Sequence, residues 1–193
     1  RKHGIPLIID NTACPIICKP FKYGASIIVH SLTKFIGGHG TSIGGVIIDS
    51  GKFDWSLDKK RHPNIWKPDN SYHGIIWGDK VPTLTNYNIP FIVRARVVLL
   101  RDLGPALSPF NSFQFIQGLE TLALRMKQHC KNAEQVKFFL EKNNKIKKVI
   151  FSTNQNSFFV KNALKYLPNG KGSLVGIELK DGLEAGRKFI NNL

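Results

Sequence analysis

The stretch ASIIVHSLTK, residues 25–34, begins with the apolar run ASIIV at residues 25–29. The run is followed by His30, by the hydroxyl side chains of Ser31 and Thr33, and by Lys34. Similar runs are PLII at residues 6–9, which ends at Asp10, and GVII at residues 45–48. Short continuous apolar runs are typical of strands that are buried on both faces of a sheet. Three such runs predict an α/β fold. Because ligands of these sheets bind beyond the carboxyl ends of the strands, we expect a site formed by Asp10 and by residues 31–34.

The rest of the chain divides into an aromatic insertion, a long helix and a second unit. Residues 51–90 hold three tryptophans among prolines and glycines, which indicates an irregular segment that packs its aromatic rings locally. Ser108 followed by Pro109 is a favourable helix start, and Thr121 is a second candidate cap. Apolar positions spaced four and three apart predict one buried helix face, formed by Leu122, Met126, His129, Ala133, Val136 and Leu140. Residues 146–151 and 173–179 indicate the start of an α+β unit.

Composition and charge limit the classes of function. No apolar run reaches the roughly 20 residues that span a bilayer. The net charge of +15 comes from 28 basic and 13 acidic residues. The excess is spread along the chain, whereas a nucleic-acid site would favour a concentrated basic face. Because the chain has three cysteines, an odd number, we expect a reducing compartment such as the cytoplasm rather than a disulfide framework. Cys14 and Cys18 lack the tight second ligand pair of known zinc sites, and we expect no metal.

The residue types around Lys34 suit an aldehyde that also carries a phosphate. A lysine amine is a nucleophile only when deprotonated, and its reference pKa is about 10.4. A Schiff base with a bound aldehyde removes this obstacle. Hydroxyls of Ser31 and Thr33 can donate to a phosphate, and the glycines that follow permit tight turns. Pyridoxal phosphate combines both groups, and its ring nitrogen needs a carboxylate partner. Asp10 is the only acidic residue before Lys34.

Two other interpretations of the same residues stay open at this point. An ATP-binding loop needs glycines before the lysine and a Ser or Thr directly after it, but Phe35 follows Lys34. The plainer alternative is a solvated loop lysine beside turn-forming glycines.

Longer motifs indicate a family. Residues 9–12 (IDNT) and 24–39 (GASIIVHSLTKFIGGH) strongly resemble the cysteine and methionine metabolism family of pyridoxal-phosphate-dependent enzymes. Residues 38–46 (GHGTSIGGV), 51–55 (GKFDW), 108–111 (SPFN) and 117–122 (QGLETL) are similar to the sulfhydrylase branch of that family. The resemblance covers nearly the whole chain and is weaker after about residue 142.

The resemblance implies a fold and a role for each site residue. It implies the aspartate aminotransferase-like fold of fold type I, an α/β class. Residues 1–119 would be the C-terminal half of the cofactor-binding large domain. Residues 120–193 would be a linking helix and the start of the small α+β domain. By resemblance Lys34 is the catalytic lysine that carries pyridoxal 5′-phosphate, Asp10 contacts the ring nitrogen, and Ser31 and Thr33 hold the phosphate. Thr12 would assist near the ring.

The implied reaction is a γ-replacement. Acetate leaves O-acetyl-L-homoserine, and sulfide or a small thiol adds to give homocysteine or a relative. The resemblance also implies a homotetramer with shared active sites, and no nucleic-acid or membrane partner. The alternatives are a γ-synthase or γ-lyase of the same family, an inactive remnant, or a basic nucleic-acid-binding module.

The chain also departs from the family pattern. Its only methionine is Met126, and family members have a large segment before the position of this chain's first residue. The arginine expected to bind the substrate carboxylate would lie beyond Leu193, and Gly176 stands where the family usually has serine. We therefore expect a fragment that is inactive by itself.

Overall fold

The computed structural model describes residues 3–154 and 157–193, in two compact units. The first unit consists of Arg1–Thr12 and Pro20–Gln117, and the second of Ala13–Lys19 and Gly118–Leu193. Within the described ranges, no helix combines the length and the apolar character that crossing a lipid bilayer requires.

The first unit is built on a mixed three-stranded sheet in the order β1-β2-β3. The strands are β1 (Ile8–Asp10), β2 (Ile27–Ser31) and β3 (Gly45–Asp49). β1 and β2 are parallel, with Asp10 opposite Val29, and β2 and β3 are antiparallel, with Ser31 opposite Gly45. The carboxyl ends of β1 and β2 therefore lie at the same edge of the sheet.

The three strands were predicted correctly, but their burial was not. Only β2 is largely buried. On the edge strands Ile8 is 53% exposed and Ile47 is 45% exposed. Apolar runs in all three strands suggested a sheet buried on both faces, whereas the chain supplies cover mainly for the central strand. The antiparallel direction of β3 was not predicted, because an apolar run carries no information on strand direction.

Short helices connect β3 to the long helix of the molecule. They are the 3₁₀ turns Trp55–Asp58 and Asn70–Tyr72, α1 (Pro63–Trp66), α2 (Trp77–Thr85), α3 (Pro90–Arg94), the π-helical turn Ala95–Leu100 and α4 (Arg101–Leu103). The aromatic rings of this segment pack locally, as predicted. The rings of Phe53 and Trp55 meet edge to face at 4.8 Å, and Trp55 stacks on Phe91 at 5.5 Å. The indole N–H of Trp66 donates to the Trp55 carbonyl at 2.7 Å. Ile27 of β2 is buried in the same cluster, which joins the segment to the sheet.

The helix α5 runs without interruption over Pro109–Glu141 and contributes residues to both units. Its first residue, Pro109, confirms the predicted helix start. The second candidate cap, Thr121, was wrong, because it lies inside the helix, where its hydroxyl accepts a hydrogen bond from Arg125 Nε at 3.1 Å.

The predicted face of α5 was partly wrong. His129 and Val136 are exposed, and Cys130 is buried in place of His129. A pattern that alternates four and three has a period of 3.5 residues, whereas a straight α-helix has 3.6. The predicted stripe therefore drifts off the buried face by about 20° per heptad. The buried positions of α5 are Phe115, Gly118, Leu122, Met126, Cys130 and Ala133.

The second unit contains a two-stranded antiparallel sheet and two more helices. The strands are β4 (Ile146–Ile150) and β5 (Gly176–Leu179), within the segments that were predicted to begin an α+β unit. The helices are α6 (Ser157–Tyr166) and α7 (Gly182–Ile190). Val149, Phe151 and Ala163 are buried in this unit.

Candidate active site

The carboxyl ends of β1 and β2 are joined by one threonine. The backbone N–H of Thr12 donates to Oδ1 of Asp10 at 2.9 Å. The Thr12 hydroxyl also hydrogen-bonds the Asp10 side chain, and its oxygen accepts the backbone N–H of Ser31 at 2.7 Å. A hydroxyl has one proton to donate and two lone pairs to accept, so both bonds can form at once. Thr12 thus couples the position of the carboxylate to that of the serine.

These hydrogen bonds keep Asp10 ionised. The pKa of the Asp10 carboxyl lies below its ordinary value of 3.8, first because of the hydrogen bond from the Thr12 side chain and then because of that from the Thr12 backbone. The charge of His30 makes a smaller contribution in the same direction. A carboxylate that stays charged is the group that can pair with a protonated ring nitrogen.

His30 lies near this carboxylate on the central strand. Its side chain is buried, and its Nδ1 atom has no hydrogen-bond partner. Burial lowers the pKa of the imidazole, and the charge of Asp10 opposes that effect. The proximity of His30 to Asp10 was not predicted, because it follows from the pairing of β1 with β2.

Lys34 lies in a distorted turn directly after β2. Ser31 still has extended backbone, and residues Leu32–Ile36 form a turn of π-helix. Inside this turn Lys34 departs from helical geometry, with φ −90° and ψ −122°. The turn is closed by two backbone bonds, from Gly37 N–H to the Leu32 carbonyl and from Gly38 N–H to the Lys34 carbonyl, both at 2.8 Å. The Lys34 side chain is exposed, so its amine is accessible.

Thr33 ties this turn to the start of β3. The N–H of Gly44 donates to the Thr33 hydroxyl oxygen at 3.1 Å, and Leu32 N–H donates to the Gly44 carbonyl at 2.9 Å. Because Thr33 accepts from Gly44 N–H, its hydroxyl proton can be donated. In this structure the acceptor is the Gly44 carbonyl, at a long 3.4 Å. A phosphate oxygen would be a stronger acceptor for the same proton.

All five residues predicted for the site belong to the first unit. Asp10, Thr12 and Ser31 form one hydrogen-bonded group, and Thr33 and Lys34 follow in the next turn of the chain. The predicted tight turns beside them are present at Gly38 (φ 83°) and Gly40 (φ 68°). The role of Gly44 was not predicted, because the run of glycines gave no indication of which backbone amide would bind Thr33.

The three cysteines are not among the predicted site residues. Burial raises the pKa of both the Cys14 and the Cys18 thiol, which keeps them neutral, and Cys130 is buried. Among residues 3–154 and 157–193, no group of three His, Cys, Asp or Glu side chains is arranged to hold a metal ion.

The comparisons with known proteins identify a pyridoxal-phosphate-dependent class. The family "Cys/Met metabolism PLP-dependent enzyme" matches residues 1–193. The chain belongs to this family, which confirms the resemblance, and its fold is that of fold type I.

Individual relatives are sulfhydrylases and synthases. The chain is 50% identical over its whole length to O-acetyl-L-homoserine sulfhydrylase of Leptospira meyeri, covering 44% of that protein. It is 44% identical over 94% of its length to the homocysteine/cysteine synthase of Saccharomyces cerevisiae, covering 40% of it. A crystal structure of an O-acetylhomoserine (thiol)-lyase from Campylobacter jejuni matches with a TM-score of 0.81 and 38% identity, over 93% of this chain and 43% of that one. That protein carries N′-pyridoxyl-lysine-5′-monophosphate at position 205. The chain therefore spans less than half the length of these relatives.

We expect Thr12→Val to destabilise the first unit. The substitution keeps the shape of the side chain and leaves the half-buried Ser31 N–H without its acceptor, which costs about 1–3 kcal/mol. It also moves the Asp10 pKa back toward 3.8. Ionised Asp10 stabilises the fold above that value, and this stabilisation is lost as the pH falls below it. Thr12→Val should therefore weaken the acid dependence of the free energy of unfolding.

Urea unfolding followed over a range of acidic pH measures both effects. Thr12→Ser keeps the hydroxyl and serves as the control. Equal stability of Thr12→Val and the unsubstituted chain would show that the hydroxyl does not link β1 to β2.

Proposed function

We propose that this chain is part of a pyridoxal-phosphate-dependent enzyme that replaces the acetate of O-acetyl-L-homoserine with sulfide or a small thiol. The observation that carries the proposal is the hydrogen-bonded group Asp10–Thr12–Ser31, at the carboxyl ends of two parallel strands, with Lys34 in the next turn. The names of the relatives, above all the Leptospira sulfhydrylase, support the choice of substrate.

The residues present fit pyridoxal phosphate in number and in chemistry. Asp10 is kept ionised, as a partner of the ring nitrogen must be. Ser31 and Thr33 would donate hydroxyl protons to the phosphate, and the Lys34 amine would bind the aldehyde carbon. Thr12 would lie beside the ring and hold Asp10 in place. When bound, the cofactor supplies an electron sink for negative charge that develops at the substrate α carbon.

Lys34 would also move protons during the reaction. Its amine would take protons from the substrate α and β carbons, and it would return them to these carbons after the sulfur has bonded to the γ carbon. Acetate would leave the γ carbon with the electrons of the C–O bond, and the sulfur of sulfide or a thiol would form the new bond at that carbon and lose its proton. Asp10 would keep its charge throughout, since it is not the group that exchanges protons.

The remaining features of the proposal concern the whole protein. By resemblance we propose a homotetramer in a reducing, cytoplasmic compartment, with no nucleic-acid or membrane partner. A γ-synthase that uses cysteine and a γ-lyase that uses water are the alternatives within the family. An inactive remnant is the alternative outside catalysis.

We expect pyridoxal phosphate to attach to Lys34. Borohydride reduction makes the bond between the aldehyde carbon and a lysine amine permanent, so a peptide that contains Lys34 should carry the pyridoxyl group in mass spectrometry. Lys34→Ala should remove this modification. Lys52→Ala, which changes another exposed lysine of the same unit, is the matched control. Modification spread evenly over surface lysines would contradict the assignment.

Competition between acceptors distinguishes the candidate reactions. In the full-length protein that contains this chain, with O-acetylhomoserine and equal concentrations of sulfide and cysteine, we expect homocysteine to exceed cystathionine and 2-oxobutanoate. Asp10→Asn should lower the rate by about tenfold or more, because it removes the negative charge that would pair with the protonated ring nitrogen. Predominant cystathionine would favour the γ-synthase, and predominant 2-oxobutanoate the γ-lyase. A full-length protein that attaches the cofactor and turns over none of these substrates would be the inactive remnant.

A further inference from the structure

The ring of Phe115 packs against two glycines that follow Lys34 in the chain. Phe115 is on α5 and only 4% exposed. A Cβ atom added to Gly37 would lie 3.1 Å from Cδ1 and from Cε1 of this ring, and 2.8 Å from the Leu32 carbonyl oxygen. A Cβ atom added to Gly44 would lie 2.6 Å from Cε2 and 3.1 Å from Cζ. Because real Cβ contacts essentially never fall below 3.0 Å, the ring excludes a side chain at Gly44, and it packs tightly against Gly37.

Both glycines are bonded to the backbone of the lysine turn. Gly37 N–H donates to the Leu32 carbonyl, and the Gly44 carbonyl accepts from Leu32 N–H. Gly44 N–H binds the hydroxyl of Thr33, the residue before Lys34. One residue along α5 from Phe115, the side-chain oxygen of Gln114 accepts a hydrogen bond from the buried Ser42 hydroxyl. Helix α5 therefore contacts the segment that follows the lysine, and this segment is hydrogen-bonded to Leu32 and Thr33.

The backbone of Lys34 departs from the turn around it. Its φ of −90° and ψ of −122° lie outside the helical region, although the surrounding turn is helical. The aromatic ring against Gly37 and Gly44 is a packing contact that can fix the path of this turn.

We propose that Phe115 is a positioning residue for Lys34, acting through the contacts of its ring with Gly37 and Gly44. The inference rests on the proposed function, in which Lys34 carries the cofactor. Phe115 touches neither cofactor nor substrate in this account. It fixes the backbone from which the lysine amine is presented.

We expect Phe115→Leu to slow the attachment of pyridoxal phosphate to Lys34 by at least about tenfold, because reactivity falls steeply when a reacting group leaves its productive geometry. Attachment is followed by borohydride reduction at successive times. Phe113→Leu makes the same change on the same helix at a side chain that is 54% exposed, and it should leave the rate unchanged.

A size exchange tests the contact itself. Gly44→Ala alone should slow attachment as well, since its methyl group collides with Cε2 of Phe115. Leucine lacks the Cε2 and Cζ atoms, so Phe115→Leu combined with Gly44→Ala should recover much of the lost rate. A residue that merely adds to the stability of the unit would give additive losses and no recovery.

Amide hydrogen exchange measures the stability of the same turn in the absence of the cofactor. In Phe115→Leu we expect the amides of Gly37 and Gly38 to exchange faster, while the Ile28 amide in β2 keeps its protection. If Phe115→Leu destabilises the whole first unit, Phe115→Met is used in its place, because methionine keeps most of the side-chain volume.

The outcomes separate the two proposals. If the unsubstituted chain attaches no cofactor at Lys34, the proposed function fails, and exchange at Gly37 and Gly38 alone decides whether Phe115 holds the turn. Attachment rates and exchange rates in Phe115→Leu that equal those of the unsubstituted chain would overturn the inference. A rise in exchange that is uniform across β2 and the turn in Phe115→Met would overturn it too.

Discussion

The hydroxyl of Thr12 is the contact on which the candidate site depends. It donates to the carboxylate at the end of β1 and accepts from the backbone N–H of Ser31 at the end of β2, so it links the ends of the two strands. The parallel register of the strands makes this contact geometrically available. The same hydroxyl keeps Asp10 charged and sets where Ser31 begins the turn to Lys34. The Thr12 hydroxyl therefore contributes both to the geometry of the site and to the charge of Asp10.

The turn that contains Lys34 is fixed by the packing of an aromatic ring. Gly44 lets an aromatic ring approach the backbone more closely than a side chain at that position would permit, and the same ring packs tightly against Gly37. Hydrogen bonding fixes the carboxylate and the serine, and packing fixes the backbone of the lysine. Asp10, held by Thr12, thus supplies the negative charge for the cofactor ring. The contact of Phe115 with Gly37 and Gly44 fixes the backbone that carries the Lys34 amine.

The sequence predicted the elements of the site better than their connections. Apolar runs located the three strands. Asp10, Ser31, Thr33 and Lys34 were selected from the residues that follow two of these runs, and Thr12 was selected from the family resemblance. The bond from Ser31 to Thr12 depends on the register of β1 against β2, which no local pattern encodes. The direction of β3 and the exposure of Ile8 and Ile47 depend on what packs against the sheet. For the long helix, local spacing alone misplaced His129 and Val136, because the predicted period of 3.5 residues differs from the 3.6 residues of an α-helix.

A crystal structure of the chain with pyridoxal phosphate, after borohydride reduction, tests the assignment of the site most directly. We expect a covalent bond from Lys34 Nζ, the ring nitrogen within hydrogen-bond distance of the Asp10 carboxylate, and phosphate oxygens hydrogen-bonded to the hydroxyls of Ser31 and Thr33. A pyridoxyl group on Lys34 whose ring points away from Asp10, with Thr12 still bonded to Ser31, would contradict it.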